Sequence, residues 1–256
     1  MSSKIILSNR YELIRPLRSG NNGVVYLSHD TVANKQMAVK LMPVKRHDKP
    51  MFKVNRMIQS EINNMIKLRG CNHIAHLHDV VAQDDDNIYL VMEYLGGHSL
   101  HDLITAVSHE PIPIKPTKAY SIVRDVAKAL HECHIHDIVH GDVKPDNIIH
   151  SVQQDIYKLV DFGSSCELND FTHSCVLDAT TYAYAAPEIL LYQSEPVTPA
   201  FDMWSLGKTT QDVINVTIKG QSDSTLNKLV NITLVKDPKQ RATAEQVLDL
   251  LASRSD

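Results

Sequence analysis

Polar residues that can handle phosphate lie close together in the middle of the chain. Residues 140–147 read His-Gly-Asp-Val-Lys-Pro-Asp-Asn, and Asp161 opens an Asp-Phe-Gly triplet after an apolar run. Transfer of a phosphoryl group requires metal ions on the phosphate oxygens, a cation near the moving charge and a carboxylate beside the incoming hydroxyl. Asp142 and Lys144 offer the carboxylate and the cation. Asn147 and Asp161 offer the hard oxygen ligands that Mg²⁺ prefers.

This pattern resembles the catalytic loop and the metal-binding Asp-Phe-Gly motif of eukaryotic-type protein kinases. Lys144 follows Asp142 by two residues, as in the Ser/Thr class. Gly141 stands where many members carry arginine, so the chain resembles a compact non-RD (His-Gly-Asp) member. The same triplet is also similar to the loop of small-molecule kinases such as aminoglycoside and choline phosphotransferases, which leaves the acceptor open at this point.

Composition predicts one compact, soluble unit. The chain has 256 residues, of which 43% are hydrophobic and 22% charged, as in ordinary globular proteins. A net charge of -4 offers no broad basic surface, so we expect neither nucleic acid nor a membrane as a partner. The apolar stretches are too short for a signal peptide or a membrane span, which predicts a cytoplasmic or nuclear protein.

The cysteines are scattered along the chain without a Cys-x-x-Cys spacing. They are Cys71, Cys133, Cys166 and Cys175. Such a distribution is typical of reduced thiols in a cytosol-like compartment. We therefore expect no disulfide.

A strand, a turn and a second strand are predicted near the start, where Gly20 and Gly23 flank two asparagines. In isolation this is the signature of a plain hairpin turn. Ahead of a kinase catalytic loop, it resembles the glycine-rich loop that covers the nucleotide phosphates. Gly20 and Gly23 then match its second and third glycines, and Val25 matches the valine that packs on adenine. Arg18 in the first glycine's place and Asn22 at the tip predict a changed nucleotide affinity.

A strand over residues 37–41 carries a lysine that the resemblance makes functional. Ala38 and Lys40 match the family's third strand, whose lysine pairs with the α and β phosphates. An exposed strand lysine is the plainer alternative. Glu61 lies beside the apolar stripe of a helix predicted from residues 57–68. The resemblance makes it the ion-pair partner of Lys40.

An apolar strand that runs into two glycines, over residues 87–97, resembles the kinase hinge. The resemblance implies that Met92 guards the back pocket. It also implies that backbone groups of Glu93 and Leu95 hydrogen-bond adenine, and that Ile149 forms the apolar floor under the ring.

The segment after the Asp-Phe-Gly triplet, residues 164–184, resembles an activation segment, with Thr181 and Tyr184 matching the substrate-docking loop. Candidate phosphorylation sites are Thr172, Ser174 and Thr180. The usual receiver of an activating phosphate is the arginine that Gly141 replaces. Without that cation the phosphate loses its main charge-assisted partner. We therefore predict activity that does not depend on phosphorylation of this segment.

Two anchors are implied by the resemblance in the last part of the chain. Asp202 matches the start of the family's central helix, where it holds the backbone of the catalytic loop. Glu188, in an Ala-Pro-Glu triplet, is the expected partner of Arg241. Only 38 residues lie between Asp202 and Arg241, which predicts a trimmed helical subdomain.

The order of these motifs predicts an α+β, two-lobed protein kinase fold. We expect one kinase domain over residues 1–256, with an antiparallel-sheet N-lobe (1–92) that carries one regulatory helix, a hinge (93–97) and a mainly helical C-lobe (98–256). The expected reaction uses ATP and Mg²⁺ to phosphorylate Ser/Thr hydroxyls of a protein substrate. A pseudokinase-like nucleotide-binding scaffold and, after it, a small-molecule phosphotransferase are the alternatives.

Overall fold

The computed structural model describes residues 5–20, 23–45, 50–109, 114–168, 175, 177, 180–191, 196–217 and 224–253. The chain separates into two compact units. The N-terminal unit comprises Met1–Gly70 and Ala75–Tyr94, and the C-terminal unit comprises Cys71–Ile74 and Leu95–Asp256.

The described residues of the N-terminal unit form a six-stranded antiparallel sheet and one helix. The sheet order is β1-β2-β3-β4-β6-β5. The strands are β1 (Ile6–Leu7), β2 (Tyr11–Gly20), β3 (Gly23–Asp30), β4 (Lys35–Pro43), β5 (Leu77–Val81) and β6 (Asn87–Glu93). Helix α1 (Met51–Lys67) lies between β4 and β5 in the chain.

Strand β4 is buried on both of its faces. Met37 and Val39 enter an apolar cluster with Val91 of β6. Lys40 and Met42 are also buried, and they point to the opposite face because successive strand residues alternate in direction. Lys40 therefore lies on the side of the sheet away from that cluster.

The C-terminal unit is mainly helical. Its described helices are α2 (Leu100–His109), α3 (Pro116–Ile135), α4 (Pro187–Leu191), α5 (Ala200–Asn215), α6 (Ser224–Thr233) and α7 (Ala244–Ala252). Its small sheets, with orders β10-β9-β7 and β11-β8, consist of β7 (Gly96–Ser99), β8 (Ile138–Val139), β9 (Ile148–Ser151), β10 (Ile156–Leu159) and β11 (Cys166–Glu167). One turn of 3-10 helix covers Pro145–Asn147.

Helix α3 is the central element of the C-terminal unit. It starts with Pro116. Proline has no N–H to donate, and this costs nothing in the first turn, where an N–H would have no acceptor within the helix. Its buried side chains include Ile122, Val126 and Leu130. These pack the helix against α5, α7 and β10. The predicted amphipathic helix is thus the core on which the strands around residues 138–159 rest.

A buried carboxylate joins α3 to β10. Asp125 accepts a hydrogen bond from the Tyr157 N–H at 3.1 Å, and its Oδ1 lies 3.6 Å from His73 Nε2. Burial by itself raises the pKa of Asp125, but hydrogen bonding by His73 and Tyr157 and the charge of Arg124 hold that pKa below its ordinary value. The ionised Asp125 carboxylate therefore holds the start of β10 in place through its hydrogen bond with Tyr157.

The predicted α+β class is confirmed: an antiparallel sheet with one helix precedes a mainly helical part. In the interval predicted to be trimmed, α6 is the one helix between α5 and Arg241 among the described residues. None of the helices in the described ranges has the length and apolar character needed to cross a membrane.

The prediction that every cysteine is a free thiol is wrong for two of them. Cys166, in β11, and Cys175 form a disulfide with their Cα atoms 6.0 Å apart, a separation that permits the bond. The two residues are nine positions apart, so no short motif marks them. Cys71 and Cys133 are buried thiols outside any disulfide, and burial raises the pKa of both.

Candidate active site

The N-terminal unit buries an ion pair between β4 and α1. Lys40 Nζ lies 2.5 Å from Glu61 Oε1, and the two side chains are 5% and 3% exposed. Glu61 shares the buried side of α1 with Val54 and Met65, as the helical spacing predicted. Two charges withdrawn from water in this way need each other as partners. The predicted ion pair is present, and its action on phosphate stays a prediction.

The hairpin between β2 and β3 is closed by two glycines. Gly20 lies opposite Gly23 in the strand ladder. Gly23 has a φ of 131°, and a Cβ at this position would collide with the carbonyl oxygen of Leu41. A larger residue would therefore strain the turn and displace β4.

Val25 follows this turn and lies opposite Lys40 in the ladder of β3 and β4. On its other side, in the ladder of β2 and β3, it lies opposite Arg18. The structure thus places the predicted adenine-contacting valine one strand away from the buried lysine. Asn22, the other predicted departure, lies outside the described residues.

Strand β6 carries two more predicted nucleotide-site residues of the N-terminal unit, Met92 and Glu93. Met92 is buried and lies opposite Ala38 of β4. Glu93 is fixed at both ends: its N–H donates to the His76 carbonyl at 3.0 Å, and its Oε1 accepts the His76 N–H at 2.8 Å. The strand therefore holds Met92 and Glu93 in a rigid register.

The remaining predicted adenine contacts belong to the C-terminal unit. Leu95 is buried, and its carbonyl accepts a hydrogen bond from the Val152 N–H at 2.9 Å. Ile149 is half-buried in β9, where it lies opposite Lys158 of β10. Both residues are thus fixed by the small sheet that follows the catalytic loop.

Asp202, fully buried in the first turn of α5, fixes the backbone of the catalytic loop. Its Oδ2 accepts the His140 N–H at 2.8 Å, and its Oδ1 accepts the Gly141 N–H at 2.9 Å. The predicted anchor is present. His134 of α3 is a third partner, with Nε2 3.0 Å from Asp202 Oδ2, which sequence reasoning missed because nothing near His134 marks it.

Asp142 and Lys144 lie together, with a hydroxyl beside them. Asp142 Oδ2 is 2.7 Å from Lys144 Nζ and accepts from Asn147 Nδ2 at 3.1 Å. Asp142 Oδ1 accepts from the Thr181 hydroxyl at 2.7 Å and from its N–H at 3.2 Å. Lys144 also donates to the Thr181 hydroxyl at 2.6 Å. A carboxylate that already accepts from an alcohol is well placed to accept the proton of a substrate hydroxyl.

Asn147 and Asp161, the predicted metal ligands, are brought close to each other by a backbone hydrogen bond. The Val160 N–H donates to the Asn147 carbonyl at 2.9 Å, which brings the residue before Asp161 next to Asn147. Asp161 has a φ of 63°, a left-handed conformation that is uncommon outside glycine, and its Oδ1 accepts the Gly163 N–H at 3.3 Å. An amide oxygen and a carboxylate form a donor set that fits Mg²⁺.

Gly141 lies against the activation segment. Its φ is 80°, and a Cβ there would come within 2.6 Å of both Leu177 Cδ2 and the Ser164 carbonyl oxygen. Backbone conformation and space together exclude an arginine at this position. Of the predicted phosphorylation sites, Thr180 is half-buried, whereas Thr172 and Ser174 lie outside the described residues.

The predicted pair of Glu188 and Arg241 is also present. Arg241 Nη1 and Nη2 donate to the two carboxylate oxygens of Glu188 at 2.8 and 3.0 Å. The same guanidinium donates to the carbonyls of Ala200 at 2.6 Å and Val235 at 3.0 Å, and it lies over the Trp204 ring at 5.2 Å. Arg241 therefore contacts three other segments of the C-terminal unit: α4, α5 and the stretch after α6.

Tyr184 fixes the end of the activation segment to α5. Its hydroxyl donates to Asp212 at 2.8 Å, and its carbonyl accepts from the Ser205 hydroxyl at 2.8 Å. Burial, and then the hydrogen bond to Asp212, raise the pKa of Tyr184 well above its ordinary value. The phenol thus stays neutral and keeps donating throughout the physiological pH range.

Known proteins resemble this chain over most of its length. The sequence model of the protein kinase domain matches residues 11–218. Cell division control protein 2 homolog 3 of Trypanosoma brucei brucei is 30% identical over 226 residues, 88% of this chain and 68% of that protein. Serine/threonine-protein kinase STE20 of Candida glabrata is 27% identical over 265 residues, 94% of this chain and 27% of that protein.

A probable serine/threonine-protein kinase of Clostridium acetobutylicum is 30% identical over 277 residues, 97% of this chain and 40% of that protein. The chain thus spans well under half the length of this relative and of the Candida glabrata kinase. The range matched by the family model contains the Lys40–Glu61 pair and the loop of Asp142. The chain is a protein kinase and belongs to the protein kinase domain family.

Proposed function

We propose that the protein transfers the γ-phosphoryl group of ATP to serine and threonine hydroxyls of protein substrates. One observation carries the proposal: Asp142 Oδ1 accepts from an alcohol at 2.7 Å while Lys144 Nζ lies 2.7 Å from Oδ2. In the proposed step the acceptor hydroxyl gives its proton to Asp142 as its oxygen bonds to phosphorus and the bond to the β-phosphate oxygen breaks. Lys144 stabilises the charge on the moving group.

Asn147 and Asp161 are the proposed ligands of Mg²⁺. The donation from Asn147 Nδ2 to the Asp142 carbonyl, at 2.9 Å, fixes the orientation of the amide. A bound ion would neutralise charge on the phosphate oxygens. The left-handed backbone at Asp161 and the bond from Gly163 set the direction of that carboxylate.

The proposed nucleotide-binding residues are those implied by the resemblance to protein kinases. Lys40, held by Glu61, would bind the α and β phosphates, and the backbone amides of Gly20 and Gly23 would cover them. The proposed adenine contacts are Val25, Glu93, Leu95 and Ile149. Met92 is proposed to guard the back pocket, and Ala38 is a further proposed nucleotide-binding residue next to Lys40 in the strand. In this proposal residues 1–256 act as a single kinase domain.

Serine and threonine are the proposed acceptors for two reasons. Lys144 two residues after Asp142 is typical of the Ser/Thr class, and two of the similar proteins are named serine/threonine-protein kinases. Lys144 Nζ donates to the Thr181 hydroxyl at 2.6 Å, next to Asp142.

We also propose that transfer does not require phosphorylation of the activation segment. The support is Gly141, where Leu177 and the Ser164 carbonyl fill the space that an arginine side chain needs. Treatment of the purified protein with a phosphatase is expected to leave the rate of transfer unchanged. A rate abolished by the phosphatase and restored by autophosphorylation would contradict this.

Radiolabel transfer from MgATP to a mixed protein pool, followed by analysis of the phosphorylated residues, tests the main proposal. Wild type is expected to form phosphoserine or phosphothreonine. Asp161→Asn is expected to form neither, because it loses a metal-binding carboxylate. Asp155→Asn is the matched control: Asp155 also has a positive φ, of 51°, and its side chain is 85% exposed.

The alternatives predict different results. A nucleotide-binding scaffold would show a thermal shift with nucleotide but no label in any acceptor. A small-molecule phosphotransferase would label aminoglycosides or choline and leave proteins unlabelled. Either result would overturn the proposed function.

A further inference from the structure

The disulfide joins two places where the activation segment is attached to the rest of the C-terminal unit. Cys166 of β11 lies opposite Val139 of β8, the residue that precedes the catalytic loop. Cys175 exchanges two backbone hydrogen bonds with Val197, of 2.9 and 2.7 Å, shortly before α5. The cross-link therefore ties the flank of the catalytic loop to the flank of the helix that carries Asp202.

The contacts that follow Cys175 lead directly to the catalytic carboxylate. Leu177, two residues on, packs with both cysteines in the apolar cluster of Val139, and its side chain lies over Gly141. Thr181, four residues further, bonds Asp142 and Lys144. Leu177 and Thr181 thus both contact the catalytic loop within six positions of Cys175.

The two backbone pairings of the cysteines themselves are short. Strand β11 has two residues, and the pairing of Cys175 with Val197 is an isolated bridge. Gly141 brings no side chain that could bind the segment by charge. A cross-link in such a place stabilises the segment by restricting the conformations open to it when it detaches.

We propose that Cys166 and Cys175 form a reversible thiol–disulfide site, closed in the active protein, that holds Thr181 on Asp142 and releases it on reduction. The proposal rests on the proposed function, because it assigns a regulation to the same site. Both cysteines are half-buried, whereas Cys71 and Cys133 are buried. The cross-linked pair is thus the more accessible to a reagent.

The reductant that fits is a dithiol of the thioredoxin class. One of its thiolates attacks a cysteine sulfur, the bond between Cys166 and Cys175 breaks and a mixed disulfide forms. Its second thiol then displaces the remaining cysteine. The two cysteines gain two electrons and two protons, and the reductant leaves as a disulfide. Exchange with a disulfide such as oxidised glutathione reverses the reaction.

The test compares the full chain equilibrated with oxidised glutathione and with dithiothreitol. Thiols are counted by alkylation and mass spectrometry, and exchange of the Thr181 amide hydrogen, which donates to Asp142 at 3.2 Å, is followed in both forms. The Glu93 N–H, bonded to His76 at 3.0 Å in the N-terminal unit, is the control amide. Initial rates of label transfer are measured on the same samples.

Reduction is expected to open the bond and speed exchange at Thr181 but not at Glu93. It is also expected to lower kcat/KM for protein substrate by about tenfold to a hundredfold, because a misplaced acceptor site reacts slowly. The double variant Cys166→Ser/Cys175→Ser should behave as the reduced protein in both buffers. Cys71→Ser should respond as wild type.

Absence of the disulfide in oxidised protein would overturn the proposal, and so would equal exchange at Thr181 or equal transfer rates in the two forms of an active kinase. Redox-dependent exchange at Thr181 without transfer in either form would overturn the proposed function and leave the cross-link as a structural switch. The two failures are therefore distinguishable.

Discussion

Two of the ion pairs, one in each unit, join a cation to a glutamate in different ways. In the N-terminal unit, Lys40 Nζ lies 2.5 Å from Glu61 Oε1, and both side chains are buried. In the C-terminal unit, Arg241 binds both oxygens of Glu188 at 2.8 and 3.0 Å. It also donates to the backbone carbonyls of two other segments. The pair of Arg241 and Glu188 thus joins several stretches of chain through backbone carbonyls as well as side chains.

This difference follows from the two cations. The guanidinium of arginine presents five donors in a rigid fork, whereas the ammonium of lysine is a compact point charge. The fork of Arg241 is used to join protein groups, which suits a structural anchor. The ammonium of Lys40 is suited to meet a phosphate while Glu61 holds it. We therefore expect changes at Arg241 to act mainly on stability and changes at Lys40 to act on transfer as well.

Arg241→Met is expected to have the largest effect on folding. It leaves the carboxylate of Glu188 and two backbone carbonyls without their donor, so the free energy of unfolding should fall by about 3–5 kcal/mol. Urea unfolding measures this loss. The exposed neighbour Lys239→Met is the control, with a change within about 0.5 kcal/mol. Equal free energies of unfolding for the two variants would show that the hydrogen bonds of the Arg241 guanidinium do not stabilise the fold.

Lys40→Met is expected to reduce label transfer by about 10²–10³-fold in protein that is still folded, because one cation that stabilises phosphate charge is lost. Initial rates at saturating ATP, measured below the unfolding midpoint, test this. Lys35→Met changes an exposed lysine of the same strand and should keep the wild-type rate. If Lys40→Met transferred label at the same rate as Lys35→Met, Lys40 would have no role in the transfer reaction.

Double substitutions sharpen the contrast between the two pairs. Lys40→Met/Glu61→Met removes both buried charges, so its stability should return to within about 1 kcal/mol of wild type while transfer stays lost. Glu188→Met/Arg241→Met should remain about 1–3 kcal/mol below wild type, because the carbonyls of Ala200 and Val235 still lack their donor. Equal recovery of the two double variants in urea unfolding would refute the distinction.

The smallest effect is expected at the start of α7. Thr243 and Gln246 form a capping box there, with bonds of 3.2 and 3.0 Å. Thr243→Ala should lower the free energy of unfolding by about 1 kcal/mol and leave transfer unchanged. A loss as large as that of Arg241→Met would mean that any change near residue 241 unfolds the last helix, whatever the charge.

The sequence predicted those contacts whose members lie in recognisable motifs. The pairs Lys40–Glu61 and Glu188–Arg241 and the anchor Asp202 were found in this way, as was the α+β class. The resemblance to protein kinases implied each partner, and the helical stripe of residues 57–68 placed Glu61 beside the apolar face.

The missed contacts depend on how distant stretches pack. Cys166 and Cys175 carry no motif spacing, and His134 is one of 14 histidines. Thr181 and Asp142, which share a hydrogen bond, are 39 positions apart in the sequence. No local pattern reports the left-handed backbone of Gly141 and Asp161. The folded structure was needed to find these contacts.

The most direct test of the account is the rate of label transfer by Asp142→Asn. The substitution keeps the shape and removes the charge of the proposed proton acceptor, so transfer should fall by about 10²–10⁴-fold. Nucleotide binding and the unfolding midpoint should stay close to wild type. Asp146→Asn, four residues further in the same loop, is the control and should transfer normally. An Asp142→Asn protein that phosphorylates substrate at the wild-type rate would contradict the central claim.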